Sequence, residues 1–263
     1  MNPLTIHLLG TGGGRIVMTT QRRRTAGIRI HHQDTNIHID PGPGALVHSH
    51  TSKQNPQNLD AIIVTHCHPD HYTDTEVLTE AMTHGTRNRK GTLAATPSVL
   101  QGNSQYNQAV SNYHQKLAAT TTTLQPGTKI QVNQLTITAT HAYHSDPDTV
   151  GLIIETPDNH RIAYTSDTQY HPNLSQQYTD LDLLILCVMR PRNRPLSHHL
   201  DTTTAAKIIQ ETQPRRAVLT HFGMLMLNAN PDTEAQHIQQ KTSTPTTAAR
   251  DNTKITVKPH ENN

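Results

Sequence analysis

Residues 61–71 read Ala-Ile-Ile-Val-Thr-His-Cys-His-Pro-Asp-His. A short apolar run ends abruptly in three histidines and one aspartate. Residues 61–65 are continuous, β-branched and too short for a helix, so they predict a buried strand. The polar residues fall at that strand's C-terminal end, where ligand sites form in layered α/β folds. His66 and His68 are two apart and point to the same side of extended backbone. Pro69 forces a turn, because it fixes φ and lacks an N–H. Asp70 and His71 follow, and residues 74–84 read as a helix. Imidazole and carboxylate at this density suit zinc, iron or manganese. The chain holds 20 histidines, so chance clustering is the competing account. The strand before and the helix after favour a metal site.

The chain's 263 residues suffice for one large domain of α/β type or two small ones, with a substantial core. Only 33% are hydrophobic, with one Phe and no Trp, so Ile, Leu, Val and Ala must build that core. No long stretch lacks apolar periodicity, which confines expected disorder to the ends. A net charge of +2 does not by itself imply a nucleic-acid partner. The two cysteines, Cys67 and Cys187, make no disulfide framework. Cys67 should point away from its flanking histidines. Residues 4–9 enter a strand pattern with no signal-peptide pattern, and no apolar run reaches membrane-span length. A soluble, cytoplasmic protein with no membrane partner is the expectation.

Around the central motif, residues 4–9 alternate as a strand and run into Gly10-Thr11-Gly12-Gly13-Gly14. Such a turn lets backbone approach a ligand or a neighbouring loop. The sequence after it is β-type, not the helix of a dinucleotide fingerprint. Arg22, Arg23 and Arg24 form either a solvated face or a source of phosphate contacts. Strands are expected at 27–31 and 36–40, the second ending at Asp40-Pro41-Gly42, where Asp40 suits a turn cap. Arg87, Arg89 and Lys90 lie in a loop before a strand at 92–95. Residues 98–118 read as helical, interrupted at Gly102. A hairpin at 130–132 and 135–140 leads to His141 and His144, with Asp146 and Asp148 as turn residues beside Pro147. Strands at 150–155 and 161–166 end at Asp167. A strand at 181–188 precedes a basic loop carrying Arg190, Arg192 and Arg194. His199 and Asp201 then open a helix over 202–211, with Asp201 as its cap. A last core strand, 217–220, ends at His221. A helix at 233–240, a polar linker at 242–249, an edge strand at 254–257 and frayed final residues complete the chain.

The His66-Cys67-His68-Pro69-Asp70-His71 segment resembles the H-x-H-x-D-H motif of the metallo-β-lactamase superfamily. Asp40 and Gly42 resemble the family's D-x-G segment, which braces the metal loop. His144 precedes Thr149 and Gly151 with the spacing of the next ligand, which leaves His141 as a pocket residue. Tyr164 to Thr168 is similar to the Y-x-G/S-D-T segment, and Thr220-His221-Phe222 to the last ligand segment. The resemblance implies an α+β fold, a four-layer αβ/βα sandwich of two mixed β-sheets with helices on the outer faces. It implies a single domain over 1–263 with two pseudo-symmetric halves, about 1–130 and 131–263. It also implies two divalent metal ions, Zn²⁺ foremost, with Mn²⁺ or Fe²⁺ as alternatives. His66, His68 and His144 would hold one ion, Asp70, His71 and His221 the other, and Asp167 would bridge. Iron oxidoreductases of the family carry Glu at the His68 position, so histidine there favours hydrolysis.

Three function classes follow. The first is hydrolysis of a phosphodiester, in a nucleotide, a small molecule or an RNA end, with phosphate contacts from the arginine-rich loops. Asp70 would orient or deprotonate the attacking water, and His199 would serve as acid or oxyanion donor. His199 sits at the offset of a histidine in the tRNA 3′-processing nucleases. The Ser-Thr beside it is replaced by Leu200-Asp201, and the Gly-Leu-Pro after their central motif by Tyr72-Thr73-Asp74. With one Phe for base stacking, RNA is the weaker substrate. The second class is ester, lactone or thioester hydrolysis on the same metals. The third is metal binding without turnover.

Overall fold

Ile and Leu alternate with polar residues in the first strands, so the two kinds of side chain go to opposite faces. The computed structural model describes residues 3–257, and the expected fraying of the final residues lies outside them. The strands of the first half are β1 (Leu4–Leu8), β2 (Ile28–His32), β3 (Thr35–Ile39), β4 (Ala61–Val64), β5 (Thr92–Ala95) and β6 (Thr120–Thr123). Then come β7 (Lys129–Val132), β8 (Leu135–His141), β9 (Val150–Glu155), β10 (Arg161–Tyr164) and β11 (Leu183–Arg190). The last are β12 (Leu200–Asp201), β13 (Ala217–Thr220), β14 (Thr246–Ala248) and β15 (Thr253–Val257).

They form two mixed sheets, ordered β15-β1-β2-β3-β4-β5-β6 and β7-β8-β9-β10-β11-β13-β14, with β12 beside β11. In each sheet the pairings up to the fourth strand are antiparallel and those beyond it are parallel. The C-terminal strand β15 joins the first sheet beside β1. Between the sheets, Leu4, Ile6, Ile30, Ile37 and Ile63 meet Ile137, Leu152, Ile154, Ile162 and Ile185. On one outer face Leu78 and Met82 cover Ile62, Val64 and Leu93. On the other, Ala205, Ile208, Ile209 and Ile238 cover Leu184, Leu186 and Leu219. Four layers result: helix, sheet, sheet, helix.

Three segments depart from expectation. A helix, Gly14–Thr20, follows the glycine run where β-type sequence was expected. Its threonines are tolerated because Thr19 and Thr20 hydroxyls donate back to the Arg15 and Ile16 carbonyls at 2.8 and 2.7 Å. Residues 98–118 contain two short helices, Pro97–Leu100 and Asn112–Leu117, with irregular backbone between them. The polar linker expected at 242–249 contains β14, because the open edge of β13 supplies the partner that its sequence does not advertise. The helix Thr202–Thr212 starts at a capping box, in which the Asp201 carboxylate accepts the Thr204 N–H at 2.8 Å.

Among the described residues, no helix is long and apolar enough to cross a membrane. The inter-sheet layer should dominate stability. Ile137→Ala is expected to cost about 2–5 kcal/mol, whereas Val47→Ala, at a residue 60% exposed, should stay within about 0.5 kcal/mol in urea unfolding.

Candidate metal centre

All seven proposed ligands stand at one end of the sandwich, where strands of both sheets run out. His66 follows β4, Asp167 follows β10, His221 follows β13, and His144 lies between β8 and β9. Pro69–Tyr72 is a single helical turn carrying Asp70 and His71. Asp40, Ser166 and His221 adopt φ of 54°, 52° and 60°. Left-handed backbone at non-glycine residues is costly and persists where surrounding contacts fix it. Here it turns each chain sharply off its strand and into the cluster.

The side chains form two groups sharing Asp167. His68 Nδ1 lies 3.0 Å from His66 Nε2 and 3.1 Å from His144 Nε2. Asp167 Oδ2 is 4.0 and 3.7 Å from those two Nε2 atoms. In the second group His71 Nε2 and His221 Nε2 are 3.1 Å apart, and Asp70 Oδ2 is 3.8 and 3.3 Å from them. Asp167 Oδ2 is 3.7 Å from His71 Nε2, and its Oδ1 is 3.2 Å from His221 Nδ1.

Four of these rings direct their other nitrogen at a fixed partner. His71 Nδ1 donates to Asp40 Oδ2 at 3.0 Å and His144 Nδ1 to the His198 carbonyl at 2.8 Å. His68 Nε2 meets the Tyr106 hydroxyl at 3.0 Å, and His66 Nδ1 the Thr65 hydroxyl at 3.3 Å. With their N–H groups committed to the His198 carbonyl and the Thr65 hydroxyl, His144 Nε2 and His66 Nε2 present lone pairs, and both face His68 Nδ1. A single N–H at His68 Nδ1 can satisfy only one of the two. Asp167 Oδ1 and His221 Nδ1 are buried with no hydrogen-bond partner. A cation satisfies all of these atoms at once. Tetrahedral zinc–imidazole geometry puts neighbouring nitrogens about 3.3 Å apart, close to the 3.0–3.1 Å found here. Two groups of this cluster, His66-His68-His144-Asp167 and Asp70-His71-His221, have their ligand atoms within 4.8 Å of one another. The residues fit a pair of divalent ions.

Asp40 braces the arrangement. Its carboxylate accepts the Thr65 N–H and hydroxyl, both at 2.8 Å, and the Tyr164 hydroxyl at 2.9 Å, as well as His71. Thr65 meets Ser166 across the sheets at 2.6 Å. Gly14 N–H donates to Asp70 Oδ2 at 2.7 Å. Glycine is required nearby: a β-carbon at Gly13 would lie 2.3 Å from the His221 ring, and one at Gly42 would lie 2.1 Å from the Asp70 carbonyl.

Burial, reinforced by the other imidazoles, holds His66 well below its usual pKa. Burial also takes His144 to about 3 and His199 to about 4, against the opposing pull of Asp167. His71 behaves oppositely. Burial opposes its charge, but Asp40, Asp70 and Asp167 outweigh burial and raise it to about 10. Asp70 and Asp167 are pushed up by burial, yet the surrounding histidines hold both far below the usual carboxylate range.

His199 lies at the edge of the cluster, with Nδ1 3.7 Å from Asp167 Oδ2 and its ring 4.9 Å from that of His144. It also lines a cavity of about 560 Å³, together with Arg15 and Arg190. His141 stays outside the cluster, with its backbone N–H on Gln177 at 2.6 Å. Arg89 and Lys90 bond the Ala118 and Gln57 carbonyls at the opposite ends of the strands. Arg23 bonds Thr11, Arg22 approaches Met224, and Arg192 pairs with Glu234 at 3.4 Å. Of the sequence's arginine runs, Arg190 is the one that lines this cavity.

Sequence reasoning missed Arg15, Tyr106, His198 and the full role of Asp146. Asp146 does make the expected turn, accepting the Asp148 N–H, but it is buried and also accepts the Cys67 N–H at 2.8 Å and Ser98 at 2.6 Å. Only Arg15 carried a local signal, a cation placed directly after the glycine turn. Cys67 packs away from its neighbours into the helix-covered core, as expected.

Residues 35–222 match the family model of the beta-lactamase superfamily domain. The chain is 37% identical over 247 residues to the uncharacterized protein MJ1374 of Methanocaldococcus jannaschii, covering 93% of this chain and 92% of that protein. A 79-residue stretch is 34% identical to ribonuclease Z of Thermococcus kodakarensis, covering 30% of this chain and 24% of the relative. A diphosphatase of the PhnP family has the same fold, with a TM-score of 0.72 and 16% identity over 97% of this chain and 98% of that one.

The lowered histidines, three against the single raised His71 that partly offsets them, predict an acid-labile apoprotein. A histidine whose folded pKa lies below its unfolded value takes its proton first in the unfolded chain. His144 and His199, at about 3 and 4, therefore cost stability as pH falls below about 6.5. Urea unfolding of the metal-free protein should give a lower midpoint at pH 5 than at pH 7.5, and His199→Phe should shrink that difference.

Proposed function

The chain belongs to the metallo-β-lactamase superfamily, and from that membership we propose that it is a dinuclear metal-dependent hydrolase whose substrate is a phosphodiester. In this reading His66, His68 and His144 would hold one divalent ion and Asp70, His71 and His221 the other, with Asp167 available to both; zinc would suit the imidazole-rich set. Ions held there would supply a low-pKa water and polarisation of the scissile group.

The protein's own residues divide the remaining work. Asp70 is too weak a base to keep a proton, given how far its pKa is depressed, so it orients the attacking water. Its own orientation comes from the Gly14 N–H. His199 is neutral near pH 7, since burial takes it to about 4. It therefore acts as an N–H donor to developing negative charge rather than as a stored imidazolium. The His198 carbonyl holds His144 in a single tautomer, and the Tyr106 hydroxyl fixes the orientation of the His68 ring.

One observation carries the choice of phosphodiester. The cavity beside His199 is lined by Arg15 and Arg190, and neither makes an ion pair among the described residues. A cationic wall complements a substrate that remains anionic throughout the reaction; a neutral ester or lactone has no need of it. The relative named ribonuclease Z and the structural neighbour named a diphosphatase lean the same way.

The test is hydrolysis of bis(p-nitrophenyl) phosphate by protein loaded in turn with zinc and with manganese, beside a lactone and thioester panel. Metal-dependent phosphodiester turnover that falls at least about 100-fold in Asp70→Ala is expected. Turnover of a lactone or thioester alone would overturn the reading. A metal-replete protein inert on both classes would favour metal binding without turnover.

A further inference from the structure

The cavity beside the cluster runs between the helix Gly14–Thr20 and the short helix Met224–Asn228. His199 belongs to both cluster and cavity, so the two are continuous. The walls are Ile16, Val17, Met189, Leu196, Met224 and Leu225. Ile16, Leu225 and Leu196 are 62%, 43% and 37% exposed, which makes them three of the seven large hydrophobic side chains exposed among the described residues. Apolar side chains scattered singly over a surface need no explanation, but three converging on one groove at a reactive centre do.

What the groove lacks is equally informative. Besides His199, its polar side chains are Arg15 and Arg190. Among its described lining there is no Asp, Glu, Asn, Gln, Ser or Thr to pair with a base edge or a ribose hydroxyl, and no Phe, Tyr or Trp to stack on a base. A nucleoside seated there would find few side-chain partners, and each donor or acceptor it buried unpaired would cost about 1–3 kcal/mol. His199 joins the groove to the first ligand group, its ring 4.9 Å from that of His144.

We infer that this groove selects a small phosphodiester carrying an alkyl substituent: the chain lies against Ile16, Leu196 and Leu225, and the phosphate anion lies between Arg15, Arg190 and the metal cluster. The inference rests on the phosphodiester reading above and names its substrate class. In the reaction a water oxygen bonds to phosphorus and one P–O ester bond breaks. The departing alkoxide takes a proton from the attacking water, leaving a phosphomonoester and an alcohol.

Binding can be tested without turnover. Monoalkyl methylphosphonates carry the single charge of a phosphodiester. Calorimetry on the zinc-loaded protein should give hexyl methylphosphonate a Kd at least about tenfold below that of ethyl methylphosphonate, since each buried methylene contributes favourably. Leu225→Asp should abolish that ratio. Arg190→Gln should weaken both ligands alike. Equal Kd values for the two alkyl esters, or tighter binding of the uridine 5′-ester of methylphosphonic acid, would overturn the inference. If the alkyl preference stands while bis(p-nitrophenyl) phosphate is not hydrolysed, the groove survives and the phosphodiester chemistry fails.

Discussion

Buried imidazole nitrogens facing one another at 3.0–3.1 Å are the constraint on which this structure turns. Such atoms repel unless a proton or a cation stands between them. The protein removes the proton option for most of them. It buries the rings, which lowers His66 and His144, and ties their remaining N–H groups to Thr65 and the His198 carbonyl. What is left is a concave set of lone pairs and two carboxylates, Asp70 and Asp167, whose net preference is for divalent charge.

Much of the fold can be understood as the means of holding that set against its own repulsion. Asp40 ties the end of β3 to Thr65 after β4, to His71, and through Tyr164 to the other sheet. Thr65 and Ser166 close the same gap. Asp40 follows β3 and Asp167 lies just beyond β10, and these strands occupy the fourth place in their sheets, where pairing changes from antiparallel to parallel. One sheet thus places a carboxylate under the ligands and the other places one between them. Neither sheet carries a complete group: the first group needs His144 and Asp167 from the second sheet, and the second needs His221.

The sequence made the layered architecture readable because its strands obey local rules. Short, largely apolar runs between turn residues marked β4, β9, β10 and β13, and the His- and Asp-bearing segments marked where they end. The helix at Gly14–Thr20 was hidden because its β-branched residues imitate a strand, while the backbone bonds that stabilise it lie within the helix itself and at Asp70. β14 was hidden because an edge strand takes its shape from its neighbour. Tyr106 and Asp146 act on residues 38 and 79 positions away, and no local pattern encodes such contacts. The seven residues proposed as ligands were readable from the resemblance, and the structure brings them together. The alkyl groove was not, since it joins segments near residues 16, 196 and 225 that share no motif.

The central claim is a site for two ions that spans both sheets. Its most direct test is the number of divalent ions retained per chain after exhaustive dialysis, by elemental analysis, in the wild-type protein, His144→Ala and His221→Ala. The account predicts two ions in the wild type and one in each variant. A wild-type protein that retains none, or variants that both keep the wild-type number, would contradict it.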